Sequence, residues 1–256
     1  MLCETIRRKE GGEEMRVFLF LRGGYSKNRF YGEHFSKTGA EDDVVMCADG
    51  GYALAKALGI MPHYVIGDLD SLAREELKET GAGGGGSEKT PGVPGAGDEK
   101  NSASEREPDI HAQKKPAVFR FPEDKDFSDF ELSLQKALEL GPERVFVYGA
   151  LGGRKDHELI NVLVLAHAPT PVVFCEHDVE IYNVTDDLHL RERAGLVCSL
   201  LTFSASCAIE EMRGFQYLLS HEKLFPSSRG LSNRIVDDYA YIKKRSGTLV
   251  VVVNLF

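Results

Sequence analysis

The chain has 256 residues, enough for one large or two ordinary domains with real cores. A formal charge of −9 argues against a nucleic-acid-binding surface, though not against a nucleotide whose phosphates are shielded by metal ions. There is no apolar run of roughly eighteen residues to make a membrane span, and no apolar segment near the N-terminus to make a secretory signal.

Residues 1–14 mix acids, bases and glycines without a structural pattern, so a disordered extension is expected there and Met15 is a candidate native start. Met15 to Leu21 reads as a fully buried strand, followed by the turn Arg22-Gly23-Gly24. Val44 to Ala48 is a second strand, ending at Asp49-Gly50-Gly51. A helix over Tyr52 to Leu58 is stopped by Gly59 and Pro62. Tyr64-Val65-Ile66 is a third strand. The apolar spacing of Phe130, Leu132, Leu134, Ala137 and Leu138 predicts an amphipathic helix over Asp129 to Leu140. A strand over Val145 to Tyr148 and a helix over Leu159 to Ala166 follow.

Strands alternating with helices predict an α/β domain with a mostly parallel, Rossmann-like sheet over residues 15–172. After about residue 171 helical periodicity fades. Pro171–Phe174, Glu180–Val184, Val197–Phe203, Ile235–Ile242 and Thr248–Val253 are strand-like, so residues 173–256 are expected to form an all-β sandwich domain. Between the halves of the first pattern, residues 80–116 are rich in Gly, Pro, Ser, Glu and Lys with almost no large apolar side chain. They read as a disordered insertion, and the glycine run lacks the Gly-Lys-Ser/Thr ending of a phosphate loop.

The five cysteines show no Cys-x-x-Cys spacing and fit a reduced, cytoplasmic protein; Cys47, Cys175 and Cys198 lie in apolar stretches as small hydrophobes.

The chemistry gathers after the strands. Gly67-Asp68-Leu69-Asp70-Ser71 places two carboxylates two residues apart, which suits a hard cation such as magnesium. Asp124-Lys125-Asp126-Phe127-Ser128-Asp129 precedes the amphipathic helix. Ser128 or Asp129 can cap that helix, but capping does not explain three acids and a lysine in six positions, whereas a shared metal and a phosphate do. Gly149 to His157 offers glycines for close approach to a phosphate and Arg154 to fork onto its oxygens; Asp156 could instead be an N-cap. His157 opens an apolar helix, where a structural role is favoured over that of a base.

Ala48-Asp-Gly-Gly51, Pro62 with Gly67–Ser71, Asp124–Asp129, and Gly152–His157 with Asn161 occur in one order, and Gly214-x-x-Tyr217 and Leu231-Ser232-Asn233 follow. Together they closely resemble the thiamine pyrophosphokinase (thiamine diphosphokinase) family. The likeness spans the chain except residues 1–14 and 80–116. It implies transfer of pyrophosphate from ATP to the hydroxyethyl oxygen of thiamine, with Mg2+ as cofactor, in a homodimer whose active sites lie between subunits. By motif, Asp68, Asp70 and Asp126 would hold the metal. Asp49, Gly50, Gly51, Lys125, Asp129 and Arg154 would bind ATP, and Asp70, Asp126, Arg154 and Asp156 would serve catalysis. Ser232, Asn233 and Tyr217 would contact thiamine.

Asp70 and Asp156 both remain open as acceptor of the alcohol proton. The chain departs from the family pattern in carrying Tyr52-Ala53 where many members have Asn, Ser128 for a common Thr, and no tryptophan. The competing readings are a diphosphokinase of a related alcohol such as a hydroxymethylpterin, and a degenerate thiamine- or nucleotide-binding module. Retention of the acids and Arg154 speaks against the latter.

Overall fold

A computed structural model describes residues 15–24, 28–68, 115–121 and 126–256. Among the described residues six strands form the parallel part: β1 (Arg16–Phe20), β2 (Val44–Ala48), β3 (Tyr64–Gly67), β4 (Ala117–Arg120), β5 (Arg144–Tyr148) and β6 (Val172–Cys175). All but β4 are almost wholly buried, which is why they read as unbroken apolar runs rather than alternating ones. They pair in the order β4-β3-β2-β1-β5-β6.

Among the described residues four helices accompany them: α1 (Asn28–Thr38), α2 (Gly51–Ala57), α3 (Asp129–Glu139) and α4 (Lys155–His167). In α3 the buried positions Phe130, Ser133, Leu134 and Ala137 form one stripe, laid over β2 and β3. Ser128 is its N-cap, its Oγ accepting from the Glu131 N–H at 3.2 Å, so the cap falls to Ser128 and not to Asp129. Helix α1 was not foreseen, because its buried residues Tyr31, His34 and Thr38 include two polar ones and give no apolar period.

The large sheet does not stop at β6. Strand β7 (Val179–Val184) joins β6 antiparallel, and β14 (Leu249–Asn254), β9 (Val197–Thr202) and β12 (Asn233–Arg234) follow outward, making ten strands among the described residues. A second, four-stranded antiparallel sheet runs β11-β10-β13-β8, from β8 (Asp187–Arg191), β10 (Cys207–Arg213), β11 (Glu222–Leu224) and β13 (Tyr239–Ser246). In coarse outline this is a mixed sheet with few helices plus an antiparallel sheet. Two details differ from the sequence reading. The parallel and antiparallel halves share one sheet, and the strand grouped with the all-β part, Val172–Cys175, is the last parallel strand.

Tyr182 and Val184 of β7, Leu200 of β9 and Val251 of β14 pack in one apolar cluster with Leu190 of β8 and Ile242 of β13, so the two sheets share a core. Strand β8 alternates buried and exposed residues, which leaves its outer face to solvent.

Among the described residues two ion pairs are almost fully buried, Arg16–Asp43 at 2.6 Å and Arg193–Glu180 at 3.0 Å. Cys47, Cys175, Cys198 and Cys207 are buried thiols outside any disulfide. No helix among the described residues is long and apolar enough to cross a membrane. The expectations for residues 1–14 and 80–114 lie outside the described residues; Pro116 is buried and leads into β4.

Candidate active site

Strand β1 pairs with β2 on one side and β5 on the other, so the chain's winding reverses there. In open α/β sheets that is where a crevice forms beyond the carboxyl ends. Here the turns after β1, β2, β3 and β5, with the starts of α3 and α4, line a cleft of about 600 Å³.

The turns after β1 and β5 meet through bare backbone. Gly24 N–H donates to the Leu151 carbonyl at 3.1 Å. A Cβ on Gly23 would lie 2.3 Å from the Gly149 carbonyl oxygen, and one on Gly24 2.5 Å from that of Gly152. Side chains at these positions would wedge the turns apart.

Carboxylates from three segments form one wall of the cleft: Asp49 after β2, Asp68 after β3 and Asp129 at the start of α3. Asp49 is only 6% exposed, and its N–H is fixed on the Ile66 carbonyl at 2.8 Å. Gly67, with φ +149°, makes room for this gathering. A Cβ there would lie 2.9 Å from the Asp49 Cβ and 3.6 Å from Asp129 Oδ1. Among the described residues no three His, Cys, Asp or Glu side chains enclose a metal by themselves. An all-oxygen wall of this kind nevertheless fits magnesium, which binds through one or two carboxylates and completes its shell with phosphate oxygens and water.

Cationic groups face the same cleft. Arg22, in the turn after β1, lies against the bare backbone of Gly50, where a Cβ would come 2.6 Å from its Cδ. Arg154 lies before α4 and is bound to Asp156 through Nη2–Oδ2 at 2.5 Å and Nε–Oδ1 at 3.1 Å, with both side chains exposed. The Arg154 hydrogen bonds hold the Asp156 carboxyl down at about 2, so while paired it is a poor proton acceptor. Asn161 Nδ2 donates to the Ala150 carbonyl at 2.8 Å, and Glu158 Oε1 accepts from Gly152 N–H at 2.8 Å; both hold the turn after β5 in place.

Of the residues singled out in the sequence, Asp49, Gly50, Asp68, Asp129 and Arg154 line the cleft. Gly51 does not. Its Cα abuts the end of β1, where a Cβ would lie 2.0 Å from the Phe20 carbonyl oxygen, so its bareness serves packing. Asp126 is exposed and outside the lining. Asp70 and Lys125 lie outside the described residues. His157, expected to serve its helix, is exposed and lines the cleft. Asp156 reaches the site through Arg154. Sequence reasoning missed Glu158 and gave Arg22 no role, although a cation directly after a buried strand was a usable signal.

Ser232, Asn233 and Tyr217 lie together but elsewhere. Strand β12 is the sheet's edge, five strands from β5, or roughly 24 Å at ordinary strand spacing. Tyr217 is 62% exposed, and Ser232 is exposed with φ +57°. Asn233 is buried, and its amide grips backbone. Oδ1 accepts from Tyr217 N–H at 3.0 Å and Arg234 N–H at 2.8 Å, while Nδ2 donates to the Tyr217 carbonyl at 2.7 Å. Its observed work is to hold the Tyr217 turn.

A family model, the thiamin pyrophosphokinase catalytic domain, matches residues 35–174, just over half of the chain and the span that carries most of the cleft. The chain belongs to the thiamin pyrophosphokinase family. A curated relative, thiamine pyrophosphokinase of Bacillus subtilis, is 23% identical over 201 residues, covering 76% of this chain and 79% of its own. Among solved structures, the thiamin pyrophosphokinase of Geobacillus thermodenitrificans superposes with a TM-score of 0.69 at 19% identity, covering 94% of this chain and 98% of its own. That of Candida albicans gives 0.63 at 15% identity, with 95% and 90% covered. At such identities the structural likeness speaks for the fold of a thiamin pyrophosphokinase, while the family match bears on the catalytic segment.

Proposed function

We propose that this chain is a thiamine diphosphokinase, transferring pyrophosphate from ATP to the hydroxyethyl oxygen of thiamine to give thiamine diphosphate and AMP. One observation carries the reading. In a chain of this family, carboxylates Asp49, Asp68 and Asp129 share the cleft beyond β1 and β5 with Arg22 and Arg154. Carboxylates and guanidinium groups in one cleft suit a metal-bound triphosphate, and neither has an evident use for an uncharged ligand.

Asp68 and Asp49, with Asp70, would hold Mg2+, which when bound offsets the negative charge of the phosphates. Arg154 exchanges Asp156 for phosphate oxygens, and Arg22 approaches the triphosphate from the other turn. The thiamine hydroxyl oxygen then attacks the β-phosphorus. The bond between that phosphorus and the oxygen bridging to the α-phosphate breaks, and AMP leaves with its electrons. The hydroxyl proton passes to a carboxylate, for which Asp70 and Asp156 are the candidates. Alignment and charge stabilisation supply most of the rate in such transfers, so a cleft whose backbone is fixed in advance is itself catalytic equipment.

Ser232 and Tyr217 stand far from the cleft of their own chain. That supports a homodimer in which they complete the partner's cleft around thiamine, with residues 15–172 as the nucleotide part and 173–256 as the thiamine and dimer part. A cytoplasmic location fits the buried, reduced cysteines. The test is incubation with Mg-ATP and thiamine while AMP and thiamine diphosphate are followed. AMP formed with a hydroxymethylpterin but not with thiamine would contradict the acceptor.

A further inference from the structure

Glu176 follows β6 and is only 4% exposed. Its Oε1 accepts from the Ala150 N–H at 2.8 Å and, more weakly, from the Leu151 N–H at 3.4 Å. Its Oε2 accepts from the Tyr31 hydroxyl of α1 at 2.6 Å. Burial pushes this carboxyl up to about 7, against the pull of the Tyr31 and backbone hydrogen bonds. A carboxylate is a costly group to keep under a sheet, and well-packed apolar side chains there would often serve stability as well. What they could not do is receive the amides of a turn.

That turn needs receiving. Gly149 and Gly152 have φ of +71° and +86°, so the backbone between them leaves the strand before α4 begins. Buried amides without a ladder partner must find another acceptor. Glu176 takes those of Ala150 and Leu151, Asn161 takes the Ala150 carbonyl, and Gly24 takes the Leu151 carbonyl. Of these three, only Glu176 reaches the turn as a buried charge-bearing group, and only it ties the turn to α1 through Tyr31.

We propose that Glu176, braced by Tyr31, is a positioning residue that fixes the amides of Ala150 and Leu151 and so sets the shape in which the Gly149–Arg154 turn receives the triphosphate. It touches no substrate. Its consequence for affinity rests on the reading of the cleft as an ATP site, while the clamp itself does not.

Two readouts on E176A keep these apart: amide hydrogen exchange over residues 149–154, and steady-state kinetics with Mg-ATP and thiamine varied separately. Faster exchange confined to this turn is expected, with the KM for Mg-ATP raised about tenfold or more and that for thiamine little changed. E176Q keeps a carbonyl acceptor and should recover most of both losses. Unchanged exchange in folded E176A, or equal changes in both KM values, would overturn the proposal. Should E176A not fold, Y31F carries the test. A rise in the KM for Mg-ATP of roughly two- to threefold is expected, and none would overturn it. Faster exchange in E176A alongside a wild type that turns over no ATP would instead remove the ATP reading, and with it the claim about affinity.

Discussion

Arg154 and Asp156 lock one another at the mouth of the cleft through two charge-assisted hydrogen bonds, of 2.5 and 3.1 Å. The pair sits at the start of α4, where the guanidinium can turn from carboxylate to phosphate without moving backbone. Arg154→Ala is therefore expected to lower kcat/KM for Mg-ATP by roughly a hundredfold with little change in Tm. Arg154→Lys should recover only part, because an ammonium cannot fork onto two oxygens. Kinetics on the three proteins check this, and full activity in Arg154→Lys would count against the bidentate contact.

The interlocked turns give a second prediction. Gly23→Ala would place a methyl 2.3 Å from the Gly149 carbonyl oxygen, with backbone rather than a flexible side chain in the way. A loss of roughly 1–3 kcal/mol in urea unfolding is expected, with a larger loss of activity because the displaced turn lines the cleft. Gly153→Ala, with nothing within 4 Å of its Cβ, should leave stability nearly unchanged.

The buried polar groups His34 and Glu176 predict opposing pH dependences. Desolvation lowers His34 from 6.5 to about 4, with the charges of Glu180, Arg193 and Lys37 as smaller influences. Its folded form binds fewer protons than the unfolded chain, so its stability contribution is present above pH 6.5 and lost as pH falls toward 4. Glu176 is raised from 4.5 to about 7 by burial and by Asp178, opposed by Tyr31 and the turn amides. Its contribution is greatest below pH 4.5 and declines as pH rises toward 7. Each amounts to roughly 3 kcal/mol, and over their shared range they offset one another. Glu176→Gln should unmask a stability that falls on acidification, and His34→Gln one that falls as pH rises. Urea midpoints at several pH values would show it, and parallel curves for both variants would refute it.

The place of Ser232 and Tyr217 leads to a mixing experiment. Asp68→Asn is expected to disable the cleft, and a Ser232→Ala/Tyr217→Ala variant the proposed thiamine side. Each alone should be inactive or nearly so. Co-refolded in equal amounts, they should regain about a quarter of wild-type activity, since half the random dimers would carry one intact site of two. No recovery would mean that each chain completes its own site or that subunits do not share one.

The sequence made the central parallel strands legible because Arg16–Phe20, Val44–Ala48 and Arg144–Tyr148 are buried on both faces and must be apolar throughout. It exposed Asp49, Asp68, Asp129 and Arg154 because each follows a strand or opens a helix. It hid α1, whose buried face is Tyr31, His34 and Thr38, and β8, whose charged outer residues mask Leu188 and Leu190. Glu176 was hidden for a related reason. A lone glutamate after a strand looks like surface until the fold brings Tyr31 and Ala150 to it across a long sequence separation. The continuity of β6 with β7 was also out of reach, since strand direction leaves no mark on a short apolar run.

The most direct measurement is product formation by the purified protein with Mg-ATP and thiamine, beside Asp68→Asn. Equal amounts of AMP and thiamine diphosphate are predicted for the wild type, with a loss of roughly a hundredfold or more in folded Asp68→Asn. ADP in place of AMP, or undiminished turnover by Asp68→Asn, would contradict the account.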